Sequence, residues 1–289
     1  MSQASLQFNP LTNPFTVPDW AELFPDGELV FGGSDSEQAE AKEHLLPLIA
    51  LDLSAFNPAW QGRLSVMGTV EPCDGTLGAD GHAHYNDWVS ENWLAFRLDD
   101  ASRMHFLTDW PYFDLARIEP GGEPVHTMRH LRRELEHLTQ RVPAELLQAD
   151  AFTEYQYRRI LQAAQFHDHA AAKAQASRRQ GLLAPDEWAS EAKRAADPQA
   201  FLDWLNEPRA LAHVLGGSCD WDLHPFHASS RSRVNDDDRD NQFPVTRDGR
   251  PAQFIGAFST GHYGIIHDAE TLVFYEPETR TVWQCFTWS

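Results

Sequence analysis

The chain has 289 residues, of which 42% are hydrophobic and 11% aromatic, so it is long and apolar enough to bury a sizeable core. Its 43 Asp and Glu outnumber its 23 Lys and Arg, which gives a formal net charge of −20. Phosphate backbones and anionic membrane surfaces repel such a chain, so we expect no nucleic-acid or membrane partner and favour a basic protein partner.

The first part of the chain is predicted to be β-rich after an irregular start. Residues 1–28 are rich in Pro and Asn and form the irregular lead-in. Strong helix formers that follow Ser36 predict a helix over 36–45 with this serine as its cap. Apolar or alternating patterns then predict strands over 45–53, 62–70 and 93–100, with a β-like pattern continuing to residue 110. Residues 29–122 therefore make up a first β-rich half.

The middle of the chain is predicted to be helical. Apolar residues recur at three- and four-residue steps, at Val125, Met128, Leu131, Leu135 and Leu138. This helical segment covers 123–207. A second β-rich half, residues 208–289, follows it, with predicted strands at 252–259, 270–277 and 281–288. The predicted fold is α+β, with two β-containing halves and the helical segment inserted between them in one compact unit.

Two similar turns indicate that the halves are related by internal duplication. The stretch VFGGSDS begins at Val30, and VLGGSCD begins at Val214. In each half a Pro-led apolar strand and then a second strand follow in the same order. Repeats of this kind are first a sign of architecture, and glycine supplies the backbone freedom that a turn needs.

The same segments resemble the YwqG-like family of bacterial proteins. Early in the chain the resemblance rests on the apolar-Gly-Gly turn, the strand LPLIALDL and the G-x-L-x-V that follows it. Late in the chain it rests on FIGAF and on T-L-x-F-Y within Gly264–Pro277. The resemblance implies an α+β fold of two related β-containing halves and no established chemistry. It also implies an association with bacterial toxin genes.

Cysteine usage and the absence of a leader predict a cytoplasmic protein. The three cysteines, Cys73, Cys219 and Cys285, are widely spaced, which is not typical of a disulfide framework or a zinc ribbon. The N-terminus has neither the basic nor the apolar region of a secretory signal. The longest apolar run, residues 45–51, is too short to span a bilayer.

Histidines are the strongest indication of chemistry, because there are 14 and several stand beside aspartates. In DGHAHYND, an extended strand would place His82 and His84 on one face, and Asp80 or Asp87 could add an oxygen ligand. Such a set could hold a divalent transition metal and serve a metal-dependent hydrolase. A polar loop without a metal is the alternative.

A second donor cluster follows the second Gly-Gly. Its members are Cys219, Asp220, Asp222, His224 and His227. It lacks the C-x₂-C and H-x₃-H spacings of zinc sites, so an adaptable loop is the alternative to a metal site. If the protein has a chemical site, we expect it beside Gly217.

An acidic loop lies close behind that cluster, with Asp236, Asp237, Asp238 and Asp240. Its alternate spacing resembles the start of an EF-hand, but Asn241 and Arg247 occupy the positions that need Gly and Glu. We expect this loop to be solvated and to receive a basic partner.

The expected function is therefore binding rather than catalysis. The sequence has no Gly-x-Ser-x-Gly elbow, P-loop or Gly-x-Gly-x-x-Gly. We expect a cytoplasmic protein of the immunity or anti-toxin kind, without a cofactor, whose acidic surface masks a basic partner. The alternatives are the metal-dependent hydrolase, a structural domain of a larger assembly, and an acidity that serves only solubility.

Overall fold

Antiparallel β-sheet dominates the part of the chain that the structure describes. The structure is a computed structural model, and it describes residues 10–11, 17–69, 77–79, 81–113, 116, 210–235, 240–263 and 269–288. The helices and strands of these residues are β1 (Ala21–Leu23), α1 (Gly27–Val30), α2 (Asp35–His44), β2 (Leu45–Asp52), β3 (Arg63–Thr69), β4 (Trp93–Leu98), β5 (Met104–Phe106), β6 (Val214–Leu215), β7 (Arg233–Val234), β8 (Pro244–Val245), β9 (Gln253–Ser259), β10 (Ala269–Glu276) and β11 (Thr281–Trp288). The described residues form mostly β-sheet and two α-helices, which agrees with the predicted α+β class.

The first sheet has the strand order β1-β2-β3 and is antiparallel throughout. Strand β2 is its centre and is buried along nearly its whole length, which explains why its sequence is an uninterrupted apolar run. The register shifts between Pro47 and Ile49. A shift at this place suits a proline, because Pro47 has no N–H to give to the ladder.

The second sheet joins strands β4 and β5 of the first predicted half to strands of the second predicted half. Its order is β5-β4-β11-β10-β9-β6, and every pair is antiparallel. Strand β11 lies between β10 and β4, with Thr281 opposite Arg97 and Cys285 opposite Trp93. The two long strands that follow the first Gly-Gly turn, β2 and β3, lie in the first sheet, whereas β9 and β10, which follow the second turn, lie in the second sheet. The internal duplication stays a prediction.

A buried glutamine connects the two sheets. Gln284 of β11 has no exposed surface. Its Oε1 accepts a hydrogen bond of 2.9 Å from the N–H of Met67, and its Nε2 donates one of 2.9 Å to the carbonyl of Ser65. Both partners lie on β3, the edge strand of the first sheet, so a side chain of one sheet pairs with the backbone of the other.

The two Gly-Gly turns share a positive φ at their second glycine and have different continuations. Gly33 has a φ of 101°, and Gly216 and Gly217 have φ of 65° and 78°, which favour glycine in both turns. The first turn leads into α2. The second leads into residues 218–232, which form neither helix nor strand.

Helix α2 begins at Asp35, and its cap is Ser34 rather than the predicted Ser36. The Ser34 side chain accepts a hydrogen bond from the N–H of Glu37, and the Glu37 carboxylate accepts one of 2.7 Å from the N–H of Ser34. This reciprocal pair is a capping box, which satisfies two backbone donors at the start of the helix.

All the described residues belong to one compact unit of the chain. The predicted helical segment 123–207 lies outside the described residues. Strand β1 lies inside the segment predicted as an irregular lead-in, 1–28. None of the helices that the structure describes is long and apolar enough to cross a membrane.

Candidate functional site

A cleft of about 380 Å³ opens beside the first Gly-Gly turn and strand β5. We call it the glycine cleft. Its lining includes Gly32, Glu37, Phe96, His105, Phe106 and residues 108–111. Clefts of a few hundred cubic ångströms that combine aromatic faces with a few polar groups are the usual form of a ligand site.

Gly32 is needed where it stands because a side chain there would collide with His105. A Cβ built on Gly32 would lie 2.2 Å from Nε2 of His105. The backbone is held close by a hydrogen bond of 3.1 Å from the N–H of Gly32 to the carbonyl of Met104. Next to it, Phe31 forms a parallel bridge with Met104. The first Gly-Gly therefore joins the turn to β5 and leaves room for the imidazole.

An acid contacts the same nitrogen of this imidazole. Nε2 of His105 lies 3.2 Å from Oδ2 of Asp99. Partial burial acts to raise the pKa of Asp99, but hydrogen bonds from the N–H of Arg103 and from His105 outweigh it and lower that pKa. Asp99 is therefore ionised at neutral pH and orients the His105 ring at the cleft.

Glu37 brings a second carboxylate to the cleft. Its pKa is lowered by hydrogen bonds from the backbone and then the side chain of Ser34. Both bonds reach Oε2, at 2.7 and 2.8 Å. Among the described residues no hydrogen bond is donated to Oε1 of Glu37, so the capping box fixes the carboxylate and leaves one oxygen for another partner.

The aromatic wall of the cleft is a stack of rings. Phe106 and Trp110, both half-buried, pack with centroids 4.9 Å apart. His44 stacks on both Trp110 and Phe113, at 5.7 Å and 4.9 Å, and these two rings stack on each other at 6.2 Å. These contacts fix the orientation of Trp110. No Lys or Arg of the described residues lines the cleft.

His82 and His84, the predicted metal-binding pair, lie in a 3₁₀-helix that follows Gly81. The metal hypothesis required an extended strand here. Residues two apart in a 3₁₀-helix point in different directions because the helix has three residues per turn. The rings indeed have different neighbours. His84 lies 3.8 Å from Asp109, and His82 lies beside Tyr85 and His227.

Two predicted clusters thus approach each other through His82 and His227, whose ring centroids are 6.3 Å apart. Tyr85 contacts both rings, with centroid distances of 5.2 Å to His82 and 5.4 Å to His227. The sequence placed these histidines in separate candidate sites. The structure brings them together as an aromatic contact between two loops.

Asp87 is occupied by arginine. It accepts hydrogen bonds from the N–H, Nε and Nη2 of Arg231 at 2.8, 3.1 and 2.9 Å, and Nη1 of Arg247 lies 3.5 Å away. Burial acts to raise the pKa of Asp87, but the hydrogen bonds from Arg231 outweigh it and lower the pKa. Two guanidinium groups around this carboxylate disfavour a metal cation there.

The second cluster does not converge. Cys219 is fully buried, and burial raises the pKa of its thiol to about 12, so it is not a ready thiolate ligand. His224 contacts Asn92 at 3.1 Å, and His227 contacts Ser229 at 2.8 Å.

Asp220 and Asp222, the two acids of this cluster, are exposed. In the described part of the chain no three His, Cys, Asp or Glu side chains are grouped to hold a metal ion.

The acidic loop is described only at its end. Asp240 is exposed, while Asp236, Asp237 and Asp238 lie outside the described residues. Partner binding by this loop stays a prediction.

The sequence did not single out His105, Asp99 or Trp110. The first Gly-Gly was the available signal, because a glycine pair next to a helix start marks a place where two backbones approach closely.

The chain matches no family model, no curated protein and no solved structure in comparisons with known proteins. The resemblance to the YwqG-like family therefore stays a prediction, and the site has to be interpreted from its own chemistry.

Proposed function

We propose that the protein is a non-enzymatic cytoplasmic binding protein whose acidic surface receives a basic protein partner, as an immunity or anti-toxin protein does. The observation that carries the proposal is the distribution of charge around α2. Before Arg63, the only Lys or Arg in the chain is Lys42, and its ammonium is paired with Glu28. Helix α2 exposes Asp35, Glu37 and Glu43.

Most of the described arginines elsewhere are paired with acids of their own. Four such pairs are Arg63–Glu22, Arg231–Asp87, Arg250–Glu278 and Arg280–Asp100. These pairs contribute little to stability at the surface, but they neutralise charge locally. On α2 and the adjoining rim of the glycine cleft, which we call the acidic face, Asp35, Glu37, Glu43 and Asp109 are exposed, and none of them forms an ion pair with a Lys or Arg of the described residues.

Unbalanced charge on one face favours association with an oppositely charged surface. Complementary potentials raise the rate of encounter and suppress binding to acidic proteins. The acidic loop Asp236, Asp237, Asp238 and Asp240 is the second region that we propose for contact with the partner.

Internal duplication with an inserted helical segment is the architecture that we propose for the whole chain. Two features support it: positive φ in both Gly-Gly turns and a run of antiparallel strands after each.

Affinity capture tests the function. The full-length chain is used as bait in a native lysate of the organism that makes it, at about 50 mM and about 500 mM salt, where charge screening differs strongly. We expect a basic protein to be retained at low salt and released at high salt. Recovery of no basic protein at low salt would contradict the proposal.

A pair of charge-matched variants shows whether the acidic face is responsible. Asp35→Asn with Glu43→Gln removes two charges from α2, and Asp220→Asn with Asp222→Asn removes two exposed charges elsewhere. We expect the first double variant to retain less partner than the second.

A further inference from the structure

We propose that the glycine cleft binds an arginine side chain of the basic partner. This inference rests on the proposed function and adds to it the group that is recognised and the place where it is held. It rests on four properties of the cleft: its charge, its aromatic wall, its size and the contacts that hold several of its side chains in place.

The charge of the cleft is negative. Glu37 and Asp109 both line it and are both exposed to solvent, and Asp109 has 85% of its side chain accessible. Asp109 precedes the 3₁₀-helix Trp110–Tyr112 without capping it through its side chain. Its carboxylate is therefore not used by the local backbone. Together with Oε1 of Glu37 it offers acceptors to an incoming cation.

The aromatic wall selects a flat cation. Trp110 and Phe106 line the cleft beside these carboxylates. A guanidinium group stacks on aromatic faces and donates N–H groups in its plane, so it can use a ring and a carboxylate at once. A lysine ammonium is a compact, strongly hydrated charge and uses this combination less well.

Size and apolar lining fit the rest of the side chain. The cleft volume of about 380 Å³ is at the lower end of the range for small-ligand sites, which suits one long side chain and a few waters. Phe31, Ala41 and Met104 line the same cleft and are buried. The methylene stem of arginine can pack along such a surface while its charged end stays at the rim.

Three groups that line the cleft, Glu37, His105 and Trp110, are held in place before a ligand arrives. The capping box holds Glu37, Asp99 holds His105, and His44 stacks against Trp110 with an interplanar angle of 17°. Groups that do not have to be ordered on binding lose less entropy, so a weak contact of one side chain becomes measurable.

Methyl NMR of the full-length chain tests the proposal at the cleft itself. The chain has four methionines, and Met104 lines the cleft while Met67 is fully buried elsewhere. With ¹³C-methyl methionine, a Met104→Leu variant assigns the cleft signal. The probes are blocked peptides Gly-Arg-Gly, Gly-Lys-Gly and Gly-citrulline-Gly, the last being uncharged and close to arginine in shape.

We expect the arginine peptide to shift the Met104 signal with saturation at a Kd on the order of 1 mM, which is reasonable for one side chain. The lysine peptide should bind at least about fivefold more weakly, and the citrulline peptide should cause no saturable shift. The Met67 signal should stay in place. No shift of Met104, or equal shifts with all three peptides, would overturn the proposal.

Matched variants decide whether the cleft carboxylates are responsible. Glu37→Gln with Asp109→Asn removes both charges, and a glutamine at position 37 can still complete the capping box. We expect this variant to weaken the arginine peptide by at least about tenfold. Glu43→Gln on the same helix does not touch the cleft and should leave Kd unchanged. Unchanged binding in the double variant would overturn the proposal.

The two proposals fail in different ways. A Met104 shift without any captured basic protein would leave the cleft as an arginine site and contradict the function. Capture of a basic protein together with a Met104 signal that no peptide moves would support the function and contradict the cleft.

Discussion

The side chain of Gln284 pairs with backbone groups at the edge of the first sheet, where no further strand lies. Strand β3 is the last strand of that sheet, so its outer N–H and C=O groups have no ladder partner. The side-chain amide of Gln284 supplies one donor and one acceptor to this edge, and Sδ of Met104 accepts from the N–H of Ser65 at 3.3 Å. A buried polar side chain is acceptable here because both of its groups are satisfied.

Replacing Gln284 should be costly. In Gln284→Leu the N–H of Met67 and the carbonyl of Ser65 lose their partners in a buried place, and each unsatisfied group costs about 1–3 kcal/mol. We expect a loss of about 2–4 kcal/mol in the free energy of unfolding, measured by urea denaturation.

The control is Gln253→Leu on β9. Gln253 is half-buried, and among the described residues its side chain makes no hydrogen bond. Its replacement should change the stability by less than about 0.5 kcal/mol. Equal losses in the two variants would show that the amide of Gln284 does not connect the sheets.

At the scale of elements, the capping box sets the start of α2 and the position of Glu37 at the cleft. Ser34→Ala removes the acceptor for the N–H of Glu37 and should lower the free energy of unfolding by about 1 kcal/mol. Ser36→Ala changes an exposed position inside the helix and should have almost no effect. Both are measured by chemical denaturation, and a larger loss for Ser36→Ala would contradict the assigned cap.

The sequence contained the signal for this cap. Glu37 stands three residues after Ser34, whereas Ala39 stands three residues after Ser36, and only the first spacing is that of a capping box. The predicted boundary was therefore wrong for a local and avoidable reason. Long strands such as β2, β9 and β11 were predictable because apolar runs or alternating apolar residues in their sequences indicate buried strands. Strand β1 has three residues, too few for a pattern.

At the scale of the whole molecule, contacts between distant parts of the chain limited the prediction. The glycine cleft exists because Gly32 and His105 meet, and no local pattern records that contact. Asp87 was predicted as a metal ligand because its partners Arg231 and Arg247 are about 150 residues away in the sequence. Composition, in contrast, gave the acidity directly, and the structure adds which acids are paired with arginines.

The central claim is that the acidic face binds a basic partner mainly through charge. The most direct measurement is the Kd of the purified complex with the captured partner, determined by titration calorimetry from about 50 to about 500 mM salt. The account predicts that Kd rises steadily with salt, by at least about tenfold over this range, because screening weakens complementary charges. A Kd that does not change with salt would contradict it.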